Sequence, residues 1–248
     1  MRILLPPSET KRPGGAGAPW EVTSGAFGSL ADIRERVVDA LVDVSAGPVE
    51  AAVKALKITA RQTPELSTNV LLRHAPTMPA VDRYTGVLYD ALDASSLGGS
   101  GRRWLGEHVV IQTAPFGPVG ALEPLPAYRM AAAARLPALG NLARVWADPS
   151  SAALATDDLV LDMRSEAYAA LGPVRGERCR FVRVVEARPD GTTRALNHFN
   201  KQTKGLFVRL LAAERPRLSS VAGLVRFAAQ HGYRMDDADR ELLLFAPA

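Results

Sequence analysis

The sequence predicts a single α+β domain, a mixed sheet wrapped by helices, and three observations carry this. Short apolar strand-like runs at 2–5, 108–113, 159–163, 180–187, 192–197 and 241–245 alternate with amphipathic helical stretches at 29–45, 197–211 and 219–231. Hydrophobic residues make up 47% of the 248, enough for a sizeable core. No internal repeat, charge block or linker divides the chain, so one domain over 1–248 is the simplest organisation.

Each element has a local reason. Arg2–Leu5 reads as a short buried strand stopped by Pro6-Pro7, and the Pro/Gly-rich residues 12–19 form a loop. Gly15 and Gly17 do not make a dinucleotide fingerprint, because Trp20 stands where the third glycine belongs. In 29–45, Leu30, Ile33, Val37 and Leu41 share a face, with Arg34, Glu35 and Asp39 outside. Residues 48–56 and 61–73 read as two helices joined by Lys57-Ile58-Thr59. That outline fits either a helix-hairpin-helix that grips DNA phosphates or two ordinary packed helices, and the glycine that tightens such a hairpin is missing. Gly98-Gly99-Ser100-Gly101 reads as a turn-rich connection. Pro189-Asp190-Gly191 signals a hairpin between 180–187 and 192–197.

Composition narrows the function. A net charge of +4 permits nucleic acid or phosphorylated small molecules without requiring either. Aromatics at 6% argue against a base-stacking platform. Cys179 is the lone cysteine, which excludes a disulfide framework and fits a reducing cytoplasm. No signal-peptide pattern or membrane-span-length apolar run appears. The four histidines, His74, His108, His198 and His231, are scattered, so no metal site and no cofactor is expected.

The most informative stretch is 197–211. As a helix it places Leu206, Phe207, Leu210 and Leu211 on one side, and Lys201, Gly205 and Arg209 on the other, with Lys204 at the edge. Gly205 costs about 1 kcal/mol relative to Ala inside a helix, which suggests a close approach to its backbone. Asn197, Asn200 and Thr203 sit near the start, as capping residues would. The stretch reads either as a wall of an anion-binding cleft or as a solvated basic face. Polar clusters also follow two strands: Ser8-Glu9-Thr10-Lys11 after the first, and Arg164-Ser165-Glu166 after 159–163. Arg83-Tyr84 and Tyr128-Arg129 each leave a loop. Polar groups at strand ends converge on one site in many mixed sheets. The expected ligand-binding set is Ser8, Thr10, Lys11, Arg83, Tyr84, Arg129, Asn200, Lys201, Lys204 and Arg209. Tyr128, Ser165, Glu166 and Tyr168 would handle protons.

In order and spacing, several of these motifs resemble the YaaA family of peroxide stress proteins over nearly the whole chain. The carriers are the run from Leu4 to Lys11, Tyr84-Thr85-Gly86, and Gly117 followed by Tyr128-Arg129. Trp146-Ala147-Asp148, Ser165-Glu166-Ala167-Tyr168, Lys201 to Gly205 with Arg209, and Glu241–Phe245 complete the set. The resemblance implies a compact fold of unusual type with a positively charged cleft and a cytoplasmic location. It also implies a role in limiting iron-driven oxidative damage, and DNA binding through a helix-hairpin-helix-like element at 48–73, where Leu56, Ile58, Thr59 and Asn69 match. The chain departs from the family pattern at Glu9, at Gly120-Ala121-Leu122-Glu123, at Ala131 and at Phe199. These changes move charge inside the expected cleft. They leave room for an enzyme on the same scaffold, acting on a small anionic or nucleotide-like substrate of secondary metabolism.

Overall fold

The structure, a computed structural model, describes residues 1–22, 25–187, 193–195 and 199–246. Its strands are β1 (Arg2–Leu5), β2 (Met78–Pro79), β3 (Val109–Gln112), β4 (Pro118–Gly120), β5 (Pro124–Leu125) and β6 (Arg135–Leu136), then β7 (Gly140–Asn141), β8 (Val160–Asp162), β9 (Cys179–Ala187), β10 (Thr193–Ala195), β11 (Met235–Ala238) and β12 (Glu241–Phe245). The α-helices are α1 (Ala31–Ala46), α2 (Val49–Leu56), α3 (Leu66–Val70), α4 (Ala80–Arg83) and α5 (Val87–Leu92), then α6 (Gly99–His108), α7 (Leu142–Leu154), α8 (Glu166–Ala169), α9 (Phe199–Glu214) and α10 (Val221–Gln230).

The expected α+β architecture is present. An eight-stranded mixed sheet runs β11-β12-β9-β8-β1-β3-β4, with β10 also paired to β9. The inner strands β12, β9, β8, β1 and β3 are mutually parallel; β11 and β4 are antiparallel edges. Strands covered on both faces read as unbroken apolar runs. Ile3, Leu4 and Leu5 are accordingly all buried, as is every residue of β3 and β8.

The sheet forks at β9. Its first residues pair with β8 as far as Asp162↔Phe181, and Val185 onward pairs with β10. Since β12 holds the other edge from Phe181 to Val185, β10 takes over the edge that β8 leaves. The pairing of Ala187 with Thr193 matches the expected hairpin, whose turn at Pro189-Asp190-Gly191 lies outside the described residues.

Several local expectations are corrected. Arg34 is not on the outer face of α1. It is buried, and donates from Nε to the Phe116 carbonyl at 2.9 Å and from Nη2 to the Pro118 carbonyl at 2.8 Å. The region 61–73 is not one helix. A 3-10 segment over Ala60–Glu65 contains Pro64, and α3 follows it. The turn before it is made by Lys57 in the left-handed region, at φ +54°, where the hairpin glycine would stand. Gly98 and Gly99 do not form a loop but open α6. In α9 the buried face is Thr203, Lys204, Phe207, Val208, Leu211 and Ala212, whereas Leu206 is exposed. Asn197 and His198 lie outside the described residues.

Candidate functional site

Numbered along the chain, the five parallel strands lie in the order 2-1-3-4-5. In open sheets of this kind the ligand crevice lies beyond the carboxyl ends of the strands, where the winding reverses. Here that point is between β1 and β8. The two polar runs singled out in the sequence, Ser8 to Lys11 and Arg164 to Glu166, leave those two strands.

The first run is held against Tyr84-Thr85-Gly86. Lys11 and Tyr84 form a bridge, Thr85 N–H donates to the Thr10 carbonyl at 3.2 Å, and the Thr85 hydroxyl donates to Thr10 Oγ1 at 2.9 Å. Ser8 Oγ lies 3.3 Å from the same Thr10 oxygen. Gly86, at φ +93°, keeps a Cβ away from both hydroxyls. Behind them, Tyr84 and Tyr128 share a hydrogen bond of 2.7 Å, and Tyr89 donates to the Pro6 carbonyl at 2.7 Å. Burial pushes all three phenols well above the ordinary tyrosine range, so they stay protonated donors.

Lys11 sits in this frame. Its Nζ is 4.1 Å from the centre of the Tyr128 ring and 5.5 Å from that of Tyr84. It donates to the Ser8 carbonyl at 3.0 Å and the Glu9 carbonyl at 3.2 Å. Burial, and then the Arg129 charge, lower its pKa to about 7, against weaker opposing pulls from Glu65 and Glu9. A neutral amine has two N–H donors and one lone pair. Two carbonyls match the donors, which leaves the lone pair free to take a proton.

Arg129 is positioned by Asn69, a residue that periodicity could not single out. Asn69 is fully buried. Its Oδ1 accepts from Arg129 N–H at 2.7 Å, and its Nδ2 donates to the Arg129 carbonyl at 2.9 Å and to Ser45 Oγ at 3.0 Å. The guanidinium lies between Glu9, at 3.4 Å, and Glu65, at 3.5 Å. The 48–73 element thus holds Arg129 in place through Asn69 and Glu65. Tyr168 stands nearby, raised to about 12, mainly by burial.

Beyond β8, the buried Arg164 is clamped on Asp162, with Nε at 2.8 Å and Nη2 at 2.7 Å, and it also donates to the Gly172 carbonyl at 2.9 Å. This pair, missed in the sequence, fixes the turn that presents Ser165 and Glu166, both exposed. A cavity of about 420 Å³ opens there, with Ser165, Glu166, Arg183, Asn200, Lys201 and Lys204 in its wall. Glu166 pairs with Arg183 at 3.3 Å, and Arg183 with Glu241 at 2.7 Å. Lys204 is buried and donates to the Met163 carbonyl at 3.1 Å. Burial is the main cause that lowers its pKa to about 8.

Two expected ligand-binding cations belong to the scaffold instead. Arg83 is buried and gives its donors to the carbonyls of Leu125, Arg12 and Pro76. Arg209 closes the end of α5, donating to the carbonyls of Leu92 and Asp93 and to the Asp93 carboxylate. Tyr84 is likewise buried, and it reaches the site through its hydroxyl pair with Tyr128. The close approach foreseen at Gly205 is real, but α5 makes it. A Cβ there would lie 2.2 Å from the Leu88 carbonyl oxygen. Among the described residues no three His, Cys, Asp or Glu side chains converge on a metal position, and no helix is long and apolar enough to cross a membrane.

Fold and site together define a class: an α+β protein built on one eight-stranded mixed sheet, with polar side chains gathered at the carboxyl ends of its parallel strands. The family described as peroxide stress protein YaaA matches residues 1–239. A UPF0246 protein of Corynebacterium efficiens is 43% identical over 230 residues, spanning 91% of this chain and 90% of its own. A UPF0246 protein of Streptomyces coelicolor is 38% identical over 242 residues, spanning 95% and 92%. The chain belongs to the YaaA family of peroxide stress proteins.

Proposed function

We propose that this protein serves the peroxide stress response in the cytoplasm by binding a small anionic, nucleotide-like molecule in the crevice and moving a proton at Lys11. The observation that carries this reading is Lys11 itself, an amine with both donors engaged, a lone pair left over and a pKa of about 7. A base is most useful near the working pH. In the proposed step the Lys11 lone pair takes a proton from the bound molecule. The charge left on that molecule is met by the Arg129 guanidinium. Tyr128, protonated throughout, orients by hydrogen bonding. The test is peroxide survival of a deletion strain of the source organism carrying wild type or Lys11→Met. Wild type restores survival and the folded variant does not. Full rescue by Lys11→Met refutes proton transfer at this residue.

A second reading is duplex DNA binding that limits iron-driven damage, and one observation favours it. Lys54, Lys57 and Arg61, on the 48–73 element, are exposed and form no ion pair with a carboxylate among the described residues. Phosphate contacts of this kind weaken steeply with salt and ignore sequence. Fluorescence anisotropy on duplex DNA tests it. Salt-sensitive binding that is lost when all three become Ala supports the reading, and absence of binding at low salt removes it.

A further inference from the structure

Lys204 is 4% exposed, yet it forms no ion pair with a carboxylate among the described residues, and its one side-chain hydrogen bond goes to the Met163 carbonyl. The carboxylate that acts on it is that of Asp162, which is committed to Arg164. An ammonium has three donors, and a buried charge without a partner is costly. Lys204 lines the 420 Å³ cavity, so the unused donors have that space to serve. In the same wall, Asn200 Oδ1 is buried and accepts no hydrogen bond among the described residues. One wall thus offers a cation and a neighbouring acceptor at once.

A second cavity of about 370 Å³ adjoins it. The two share Glu166, Phe181 and Arg183, and the second is walled largely by apolar groups, among them Ala169, Pro173 and Val174. We propose that these adjoining cavities together bind an amphipathic carboxylate: its anionic end on Lys204, a hydroxyl or amino donor beside that end on Asn200 Oδ1, and an apolar body over Phe181, Pro173 and Val174. Lys201, exposed at the mouth, adds positive charge to the entrance. Neither cavity has Lys11 or Arg129 in its wall, so the proposal goes beyond the proton-transfer reading above and is tested apart from it.

The test is a ladder of probes on the full chain, followed by isothermal titration calorimetry. Phenyllactate has the acid, the donor and the apolar body. Phenylpropionate lacks the donor, acetate lacks the body, 2-phenylethanol lacks the charge, and phenyl phosphate changes the anion. Phenyllactate should bind tightest, about tenfold better than phenylpropionate, as one hydrogen bond allows. Asn200→Ala should erase that gap alone, and Lys204→Met should remove the preference for acid over alcohol. Equal affinity for acid and alcohol in the wild type overturns the proposal without recourse to any variant. Tighter binding of phenyl phosphate than of phenyllactate overturns the carboxylate assignment while sparing the small-anion reading.

Discussion

Lys11 shows how much a single side chain depends on its neighbours. Arg129 is the second-largest cause of its lowered pKa, so removing that like charge should favour the ammonium form. An NMR titration of the lysine Cε resonances should find Lys11 titrating near 7 in the wild type and higher in Arg129→Met. Cys179 is the opposite case. It is half-buried, its thiol donates to the Val174 carbonyl, and burial pushes it up to about 11. The thiolate is the form that peroxide oxidises. Mass spectrometry of the folded protein after peroxide exposure should therefore find Cys179 intact, and Cys179→Ser should keep the peroxide phenotype of the wild type. Ser8, Thr10 and Lys11 were legible because a polar run after a strand end is visible in a sequence, and Tyr128 and Arg129 because the pair leaves a loop. Arg83 and Arg209 misled because an arginine that serves backbone carbonyls carries the same charge as one that serves a ligand. Asn69 stood out only as a match to the family element, and its role was hidden because its partner is a backbone segment far along the chain.

At the scale of elements, the α5–α9 contact is built on Gly205. Alanine there gains about 1 kcal/mol of helix propensity. It also drives a Cβ into the Leu88 carbonyl, a backbone atom that cannot swing away. Overpacking of this kind costs about 1–3 kcal/mol, so Gly205→Ala should lower the midpoint of urea unfolding despite its better propensity. The 48–73 element has a comparable anchor. Asn69→Ala leaves the Arg129 N–H without its acceptor, and a buried unsatisfied group costs about 1–3 kcal/mol. Urea denaturation should show that loss, and the Lys11 titration should shift with it as Arg129 moves. The element boundaries that sequence missed have physical causes. Pro149 within α7 and the glycines at the start of α6 carry breaker chemistry, yet Leu142, Trp146 and Leu154, and then Trp104 and Leu105, bury enough apolar surface to override it. Glu241–Phe245 and Arg2–Leu5 were read correctly because a short apolar strand needs little context.

For the whole molecule, the two lowered lysines set a pH dependence. Each has a folded pKa below its unfolded value of 10.5, about 7 for Lys11 and about 8 for Lys204. Between those values and 10.5 the unfolded chain binds more protons, so their contribution makes stability rise with pH across that window. Urea unfolding at several pH values from 7 to 10.5 should give a shallower rise in the Lys11→Met, Lys204→Met double variant than in the wild type. The sheet order has a consequence of another kind. Ile3 lies at the centre of the sheet, between Val109 and Leu161, both far along the chain. As the protein is synthesised, β1 emerges long before either neighbour exists, and loop closure of that length must precede any reward. A stretch of bare isoleucine and leucine therefore waits in the nascent chain until β8 arrives, and production of this protein in a living cell depends on what shields that segment in the interval.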